Sequence, residues 1–262
     1  MSNKRLAGKK FLVVGAAGNL GPRWVRAIAE ESGVALSVGL DVLSDLELAA
    51  LAEEFPALVT RAELDITGEI QPASVLEALG TEGPIDGIVF NSGIDSIPGS
   101  GRTDLTDYDT KEWERIFRVN LFGVVSAFNA FIPFLAHPSS VVVLGSLYGL
   151  VSPKPALYSH FNQGNGSLKH PAYGASKAAL VAVARQYGTH LSSQGIRVNA
   201  LTLGGVAAGQ DPLFVEKFEG HVPQQRMLSV DDIVPSMVFL LSGDSQGMTA
   251  QNMIVDGGYT AW

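Results

Sequence analysis

Short apolar runs alternate with amphipathic stretches along almost the whole chain. Phe11–Val14, Ala35–Gly39, Ile85–Phe90, Val141–Leu144 and Arg197–Leu201 are brief, rich in β-branched residues and closed by Gly, Asn, Ser or Asp, the pattern of buried strands. Between them, helical periodicity predicts helices over Pro22–Ser32, Ser44–Phe55, Ile70–Leu79, Lys111–Ala136, Ala172–Ser192 and Val230–Leu241. A last strand, Asn252–Val255, precedes Asp256-Gly-Gly. Strand and helix in steady alternation predict parallel βαβ units in an α/β, doubly wound sheet with helices on both faces. No internal repeat, low-complexity tract or linker interrupts the pattern, so residues 1–262 read as a single domain.

The chain has 262 residues, 46% of them hydrophobic, which is ample for a sizeable core. Its net charge is −8, and no basic run extends beyond Lys4-Arg5 and Lys9-Lys10. That balance argues against nucleic acid or an anionic membrane as partner. Cysteine is absent, which excludes disulfides, thiolate chemistry and cysteine-ligated zinc; no metal is expected, and a cytoplasmic location is compatible. The basic start followed by Phe11–Val14 mimics a signal peptide, but four apolar residues are too few. No apolar run approaches the length of a membrane span.

Two places carry candidate chemistry. Gly15-Ala-Ala-Gly18-Asn19-Leu20-Gly21 follows the first strand and opens a helix at Pro22, so its backbone N–H groups can approach a pyrophosphate at the helix N-terminus. Asp41, 20 positions after Gly21, can accept hydrogen bonds from the ribose hydroxyls of the adenosine half and repel a 2′-phosphate. No Arg or Lys lies between Ala35 and Arg61, which favours NAD over NADP. The second place is Tyr173-Gly-Ala-Ser-Lys177: at i, i+4 on a helix, a phenol and an ammonium project side by side. A free tyrosine titrates near pKa 10 and needs roughly 4 kcal/mol of help to act as a base at neutral pH; a fixed ammonium supplies part of it.

With these residues assembled, the chain resembles the short-chain dehydrogenase/reductase family, in its branch of about 250-residue subunits, from Phe11 to Gly258. Further landmarks occur in family order. Leu64-Asp65-Ile66 looks like the segment that holds the adenine ring, and Asn91-Ser92-Gly93 resembles the Asn-Ala-Gly that lines the cofactor crevice and steadies the sheet. Asn120 matches the helix asparagine of a proton relay, and Ser146 the serine that holds the substrate oxygen. Arg197-Val-Asn199-Ala and Val255-Asp-Gly-Gly258 match as well. Two departures stand out. Asn19 occupies the middle glycine site of G-x-x-x-G-x-G, and Leu203-Gly204 replaces the Pro-Gly after the sixth strand. Asparagine tolerates a left-handed backbone, so the turn is expected to survive.

The resemblance implies a Rossmann-type, seven-stranded, mostly parallel sheet and an NAD-dependent oxidoreductase. It implies catalysis by Asn120, Ser146, Tyr173 and Lys177, and a cofactor held by Gly15, Asn19, Leu20, Gly21, Asp41, Asp65, Ile66, Asn91, Ser92, Gly93, Tyr173, Lys177, Gly204 and Val206. Tyr173 would exchange the proton, Lys177 would lower its pKa and bond the nicotinamide ribose, and Ser146 would hold the reacting oxygen. Between Ser146 and Tyr173 lies about twice the family's usual gap, with an inserted segment over 151–170. Lys154, His160, Lys169 and His170 in it, with no acidic residue, could bind a carboxylate or phosphate on the substrate; surface decoration with solvated lysines and a subunit contact are the alternatives. Tyr148, Tyr158, His160 and Lys169 are therefore substrate candidates beside Ser146. The expected substrate is a small, polar secondary alcohol such as a sugar, polyol or hydroxy acid. The alternatives are a 3-oxoacyl-type carbonyl reductase and a non-catalytic nucleotide sensor on the same fold. The resemblance also implies a homotetramer, since family members of this size usually pair their two long helices; apolar Phe117, Leu121, Phe122, Val125 and Phe128 on one and Leu180, Val183 and Ala184 on the other agree with it, and the apolar C-terminus is expected to pack against a neighbour.

Overall fold

A computed structural model describes residues 4–95, 104, 106, 109–164 and 166–262. Seven strands form one sheet in the order β3-β2-β1-β4-β5-β6-β7: β1 Lys10–Val14, β2 Val34–Gly39, β3 Val59–Glu63, β4 Ile85–Phe90, β5 Leu135–Leu144, β6 Ile196–Leu203 and β7 Asn252–Val255. All six pairings are parallel, so the sheet is wholly rather than mostly so. Period-two alternation divides its side chains between two cores. Phe11 and Val13 join Trp24 and Ile28 of α1 (Gly21–Glu30) and Met237 of α8 (Val230–Leu241) on one face. Leu12 and Val14 join Phe128 and Phe131 of α5 (Val124–Phe131) and Leu180 and Ala184 of α6 (Pro171–Leu191) on the other.

Three elements differ from the periodicity. The strand β3 is not apparent in the sequence because, at the sheet edge, it alternates buried Val59 and Ala62 with polar Thr60, Arg61 and Glu63. The helix expected to reach Ala136 stops short: Pro133 lies in a final turn, and Leu135 already pairs with Ile85. Within that helical run, α4 (Thr110–Phe117) and α5 flank a π-helical segment, Arg118–Gly123, that contains Asn120. The run Thr110–Phe134 is long and apolar enough, by length and composition alone, to cross a membrane. It buries Ile116, Asn120, Val124 and Phe128 against the rest of the fold. The remaining helices are α2 (Leu46–Glu54), α3 (Pro72–Ala78) and α7 (Pro212–Glu219). The last begins where the Asp211 carboxylate accepts from Phe214 N at 3.0 Å.

The apolar helix faces expected to meet another subunit are used only in part inside the chain. Phe128, Leu180 and Ala184 are fully or almost fully buried in the second core, whereas Phe122 remains 60% exposed. At the C-terminus Tyr259 is buried against Phe218, with ring centroids 5.0 Å apart, and Trp262 donates to the His221 carbonyl while staying exposed.

Candidate active site

Successive strands leave in opposite directions across the sheet from β1 and β4, and there a crevice of about 550 Å³ opens at the strands' C-terminal ends. Gly15 turns the chain at φ 81°, and a Cβ there would lie 2.5–2.7 Å from Ser92, so only glycine lets the first turn approach the end of β4. Gly18 N donates to Gly15 O at 3.1 Å and Gly21 N to Gly18 O at 2.8 Å, closing the turn with Asn19 in place. Gly15, Asn19 and Leu20 line the crevice, while Gly21 closes the turn from outside its wall. The Asn91 amide donates to Gly15 O at 2.8 Å and accepts from Trp24 Nε1 at 2.9 Å, tying turn, α1 and β4 together. Ser92 and Gly93 continue the wall; Leu203, Gly204 and Val206 face them.

At the other end stand Gly39, Leu40, Asp65, Ile66 and Thr67. Thr67, through its backbone N–H and its hydroxyl, holds the Asp65 carboxyl below the usual range. Beside Asp41, the residue on the wall is Leu40. Asp41 lies one position outside it, exposed and in left-handed backbone at φ 59°. Arg61 also lies nearer than its sequence distance suggests, since β3 brings its guanidinium to 3.4 Å from the Val42 and Leu43 carbonyls.

The reacting end is built by the start of α6. His170 Nδ1 caps that helix by accepting from Ala172 N at 3.1 Å, and Pro171 occupies its first turn. Tyr173 and Lys177 therefore project from consecutive turns toward the end of β5. Gly174 lets the Ser146–Gly149 turn dock there, since a Cβ would lie 2.4 Å from Tyr148 O. Lys177, 4% exposed, donates to Leu144 O at 3.1 Å, with its ammonium 5.9 Å from the Tyr173 ring centre. Burial lowers the Lys177 pKa to about 8, against a raising effect of Asp95. Burial, helped by Asp95, pushes Tyr173 up to about 12, opposed by a hydrogen bond with Ser146. The direction is opposite to the one expected for Tyr173, because loss of solvent and the Asp95 charge outweigh the Ser146 hydrogen bond. Asn120 is buried and spends its amide within the protein: it accepts from Ile94 N at 2.7 Å and donates to Ile94 O at 2.9 Å and Ser176 Oγ at 3.0 Å.

A family model described as Enoyl-(Acyl carrier protein) reductase matches residues 15–260. The chain belongs to the short-chain dehydrogenase/reductase family. It is 32% identical to 2-(S)-hydroxypropyl-CoM dehydrogenase 3 of Xanthobacter autotrophicus, over 90% of this chain and 84% of that one. It is 30% identical to trans-4-hydroxycyclohexanecarboxylate dehydrogenase of Sinomonas cyclohexanicum, over 98% and 95%. A putative short-chain alcohol dehydrogenase from Sinorhizobium meliloti 1021 superposes with TM-score 0.83 at 26% identity, covering 99% of both chains. Family membership makes a nicotinamide dinucleotide the cofactor class, and the crevice fits it: glycine turn at one end, Tyr173 and Lys177 at the other.

In this short-chain dehydrogenase/reductase family member the inserted segment borders a second cavity, of about 390 Å³, that shares Asp95, Ser146, Tyr173 and Gly204 with the crevice. Tyr148, Tyr158 and Lys169 line it; His160 does not, being held by Asp211 at 2.9 Å and lying tilted against Phe161 with ring centroids 4.2 Å apart. Acids from distant positions meet three of the segment's four candidate cations. Lys169 pairs with Asp95, His160 with Asp211, and His170 faces Glu112 at 3.7 Å. Lys154 lies over the Tyr259 ring. Asp95 and the wall residues Phe161, Gln210, Phe214, Phe218 and Met227 carry no motif, and α7, which bears Phe214 and Phe218, is not apparent in the periodicity.

Proposed function

We propose that this protein is an NAD-dependent oxidoreductase that interconverts a secondary alcohol and its ketone, with Tyr173 as the acid–base group. The observation that carries the reading is the placement of Tyr173, paired with Ser146, where the cofactor crevice and the second cavity meet. The nicotinamide, when bound, accepts or donates the hydride. In the oxidising direction Tyr173 Oη takes the hydroxyl proton as the carbon–hydrogen bond is lost; in the reducing direction it returns it. Ser146 Oγ holds the reacting oxygen, and Lys177 supplies positive charge beside the phenol and a donor for the cofactor ribose. Asn120 fixes the backbone of Ile94 beside Gly93 and anchors Ser176 on α6, so its role is to position the Lys177 side of the site. A phenol near pKa 12 is ready to donate a proton, whereas proton abstraction requires its pKa to fall once the cleft is filled. The names of the two relatives, a hydroxypropyl and a hydroxycyclohexanecarboxylate dehydrogenase, support alcohol oxidation as the reaction class.

NAD is favoured because Lys177 is the only cation on the crevice wall among the described residues, and the adenine end carries Asp65 with Asp41 just outside. Arg61 supports NADP as second reading, since it stands behind the same loop. Titration with both cofactors decides: NAD at least about tenfold tighter is expected, about 1.4 kcal/mol. A preference for NADP that disappears in Arg61→Ala establishes the second reading. We further propose a homotetramer, supported by exposed Phe122; a monomer by light scattering at micromolar concentration contradicts it. Tyr173→Phe should lower kcat at least about a hundredfold with little loss of NADH affinity, and retention of more than about a tenth of the activity overturns the catalytic reading.

A further inference from the structure

The second cavity, read together with the proposed chemistry of Tyr173, restricts what the substrate can be. Its polar side chains are already engaged within the protein. Lys169 has a 9% exposed side chain, pairs with Asp95, and lies over the Tyr148 and Tyr173 rings at 5.4 and 5.2 Å. Asp211 receives His160 and caps α7, while the Gln210 amide accepts from Ala208 N and donates to Val206 O, both at 2.7 Å. The Tyr148 and Tyr158 hydroxyls bond each other at 2.9 Å, and burial raises both phenols, leaving at most one phenolic proton for a ligand. The remaining wall is Leu147, Gly204, Gly205, Phe161, Phe214, Phe218 and Met227. Away from Ser146 and Tyr173, each polar side chain of the described wall therefore already has a partner inside the protein, which a ligand hydroxyl must share or displace.

A hydroxyl moved from water into such a site without a partner costs about 1–3 kcal/mol, and an open-chain hexitol would bring several. An apolar ring or branched body gains contact with the aromatic wall instead. We infer that the protein acts on a compact, mainly apolar secondary alcohol or ketone, polar at the reacting carbon and bearing at most one further acceptor, in place of a polyol or open-chain sugar.

The inference rests on the proposed reaction, and the experiment separates the two. With NAD saturating, 1-cyclohexylethanol should be oxidised with kcat/KM at least about a hundredfold above that of galactitol. Phe214→Ala, and independently Phe161→Ala, should reduce that ratio at least about fivefold. Methyl cyclohexyl ketone should bind the NAD-loaded protein saturably by ligand-observed NMR, in wild type and in Tyr173→Phe alike. Galactitol oxidised as well as the cyclic alcohol, or no saturable binding of the ketone, overturns the substrate assignment even if Tyr173→Phe is inactive. Saturable binding of the ketone, together with full activity in Tyr173→Phe, leaves the cavity assignment standing and removes the catalytic one.

Discussion

The cofactor crevice and the substrate cavity meet at Tyr173, yet they are built in different ways. The crevice is made by strand ends and backbone: a turn closed by Gly15, Gly18 and Gly21, an asparagine that clamps two elements, and a buried lysine that reaches a carbonyl. The cavity is made by side chains from the 151–170 segment, the loop after β4 and α7, which pack into a small third core of Leu157, Tyr158, Phe218, Met227 and Tyr259. Backbone geometry demands particular residues at particular spacings. A packed wall accepts any apolar side chain of suitable volume. One half is accordingly fixed for its ligand, and the other can be rebuilt for a new one by loop substitution.

The comparison can be broken most forcefully at Lys177. Lys177→Met should lower kcat at least about a hundredfold and also weaken NADH binding, since this group is assigned to both halves. Unchanged NADH affinity would confine Lys177 to the reaction side. The next largest effect is expected on the crevice: Gly15→Ala places a Cβ against Ser92 at a positive φ. It should cost about 1–3 kcal/mol of stability, read as a lowered Tm, and weaken the cofactor more than the ketone probe.

A third test uses pH. The Lys177 pKa is lowered to about 8 in the folded protein from 10.5, so between these values the unfolded chain binds more protons and stability rises with pH. Cofactor-free wild type should gain about 2 kcal/mol relative to Lys177→Met between pH 8 and pH 10 in denaturant titrations. Tyr173 acts in the opposite sense: raised to about 12, it stays protonated while the unfolded chain ionises above 10, so stability falls from there upward.

The smallest effect should come from Asp95, whose charge raises both Tyr173 and Lys177. Asp95→Asn should shift the acidic limb of kcat/KM for alcohol oxidation to lower pH, and Lys169→Met should shift it upward. Both plateaus should stay within about tenfold of wild type. Shifts in the same direction would detach the pair from Tyr173.

The same contrast explains what could be read in the sequence. The sheet, the glycine turn and Tyr173 with Lys177 depend on local patterns: alternating apolar runs, glycine spacing, an i, i+4 pair. The strand β3 was obscured by its polar edge residues, and α7 by its shortness. The partners of the inserted segment are tertiary and were not legible, because Asp95 and Asp211 arrive from far along the chain to meet Lys169 and His160. Leu40 stands on the crevice wall next to Asp41 through a backbone turn that hydrophobic patterning does not report.

The central claim is hydride transfer between a carbon held at Ser146 and Tyr173 and a nicotinamide held in the crevice. Its most direct test is rapid mixing of NAD-loaded protein with 1-cyclohexylethanol carrying hydrogen or deuterium at the carbinol carbon, followed by the absorbance of reduced cofactor. The account predicts a single-turnover rise in NADH that is slower for the deuterated alcohol and nearly abolished in Tyr173→Phe. No NADH from either alcohol, or a rise that survives in Tyr173→Phe, would contradict it.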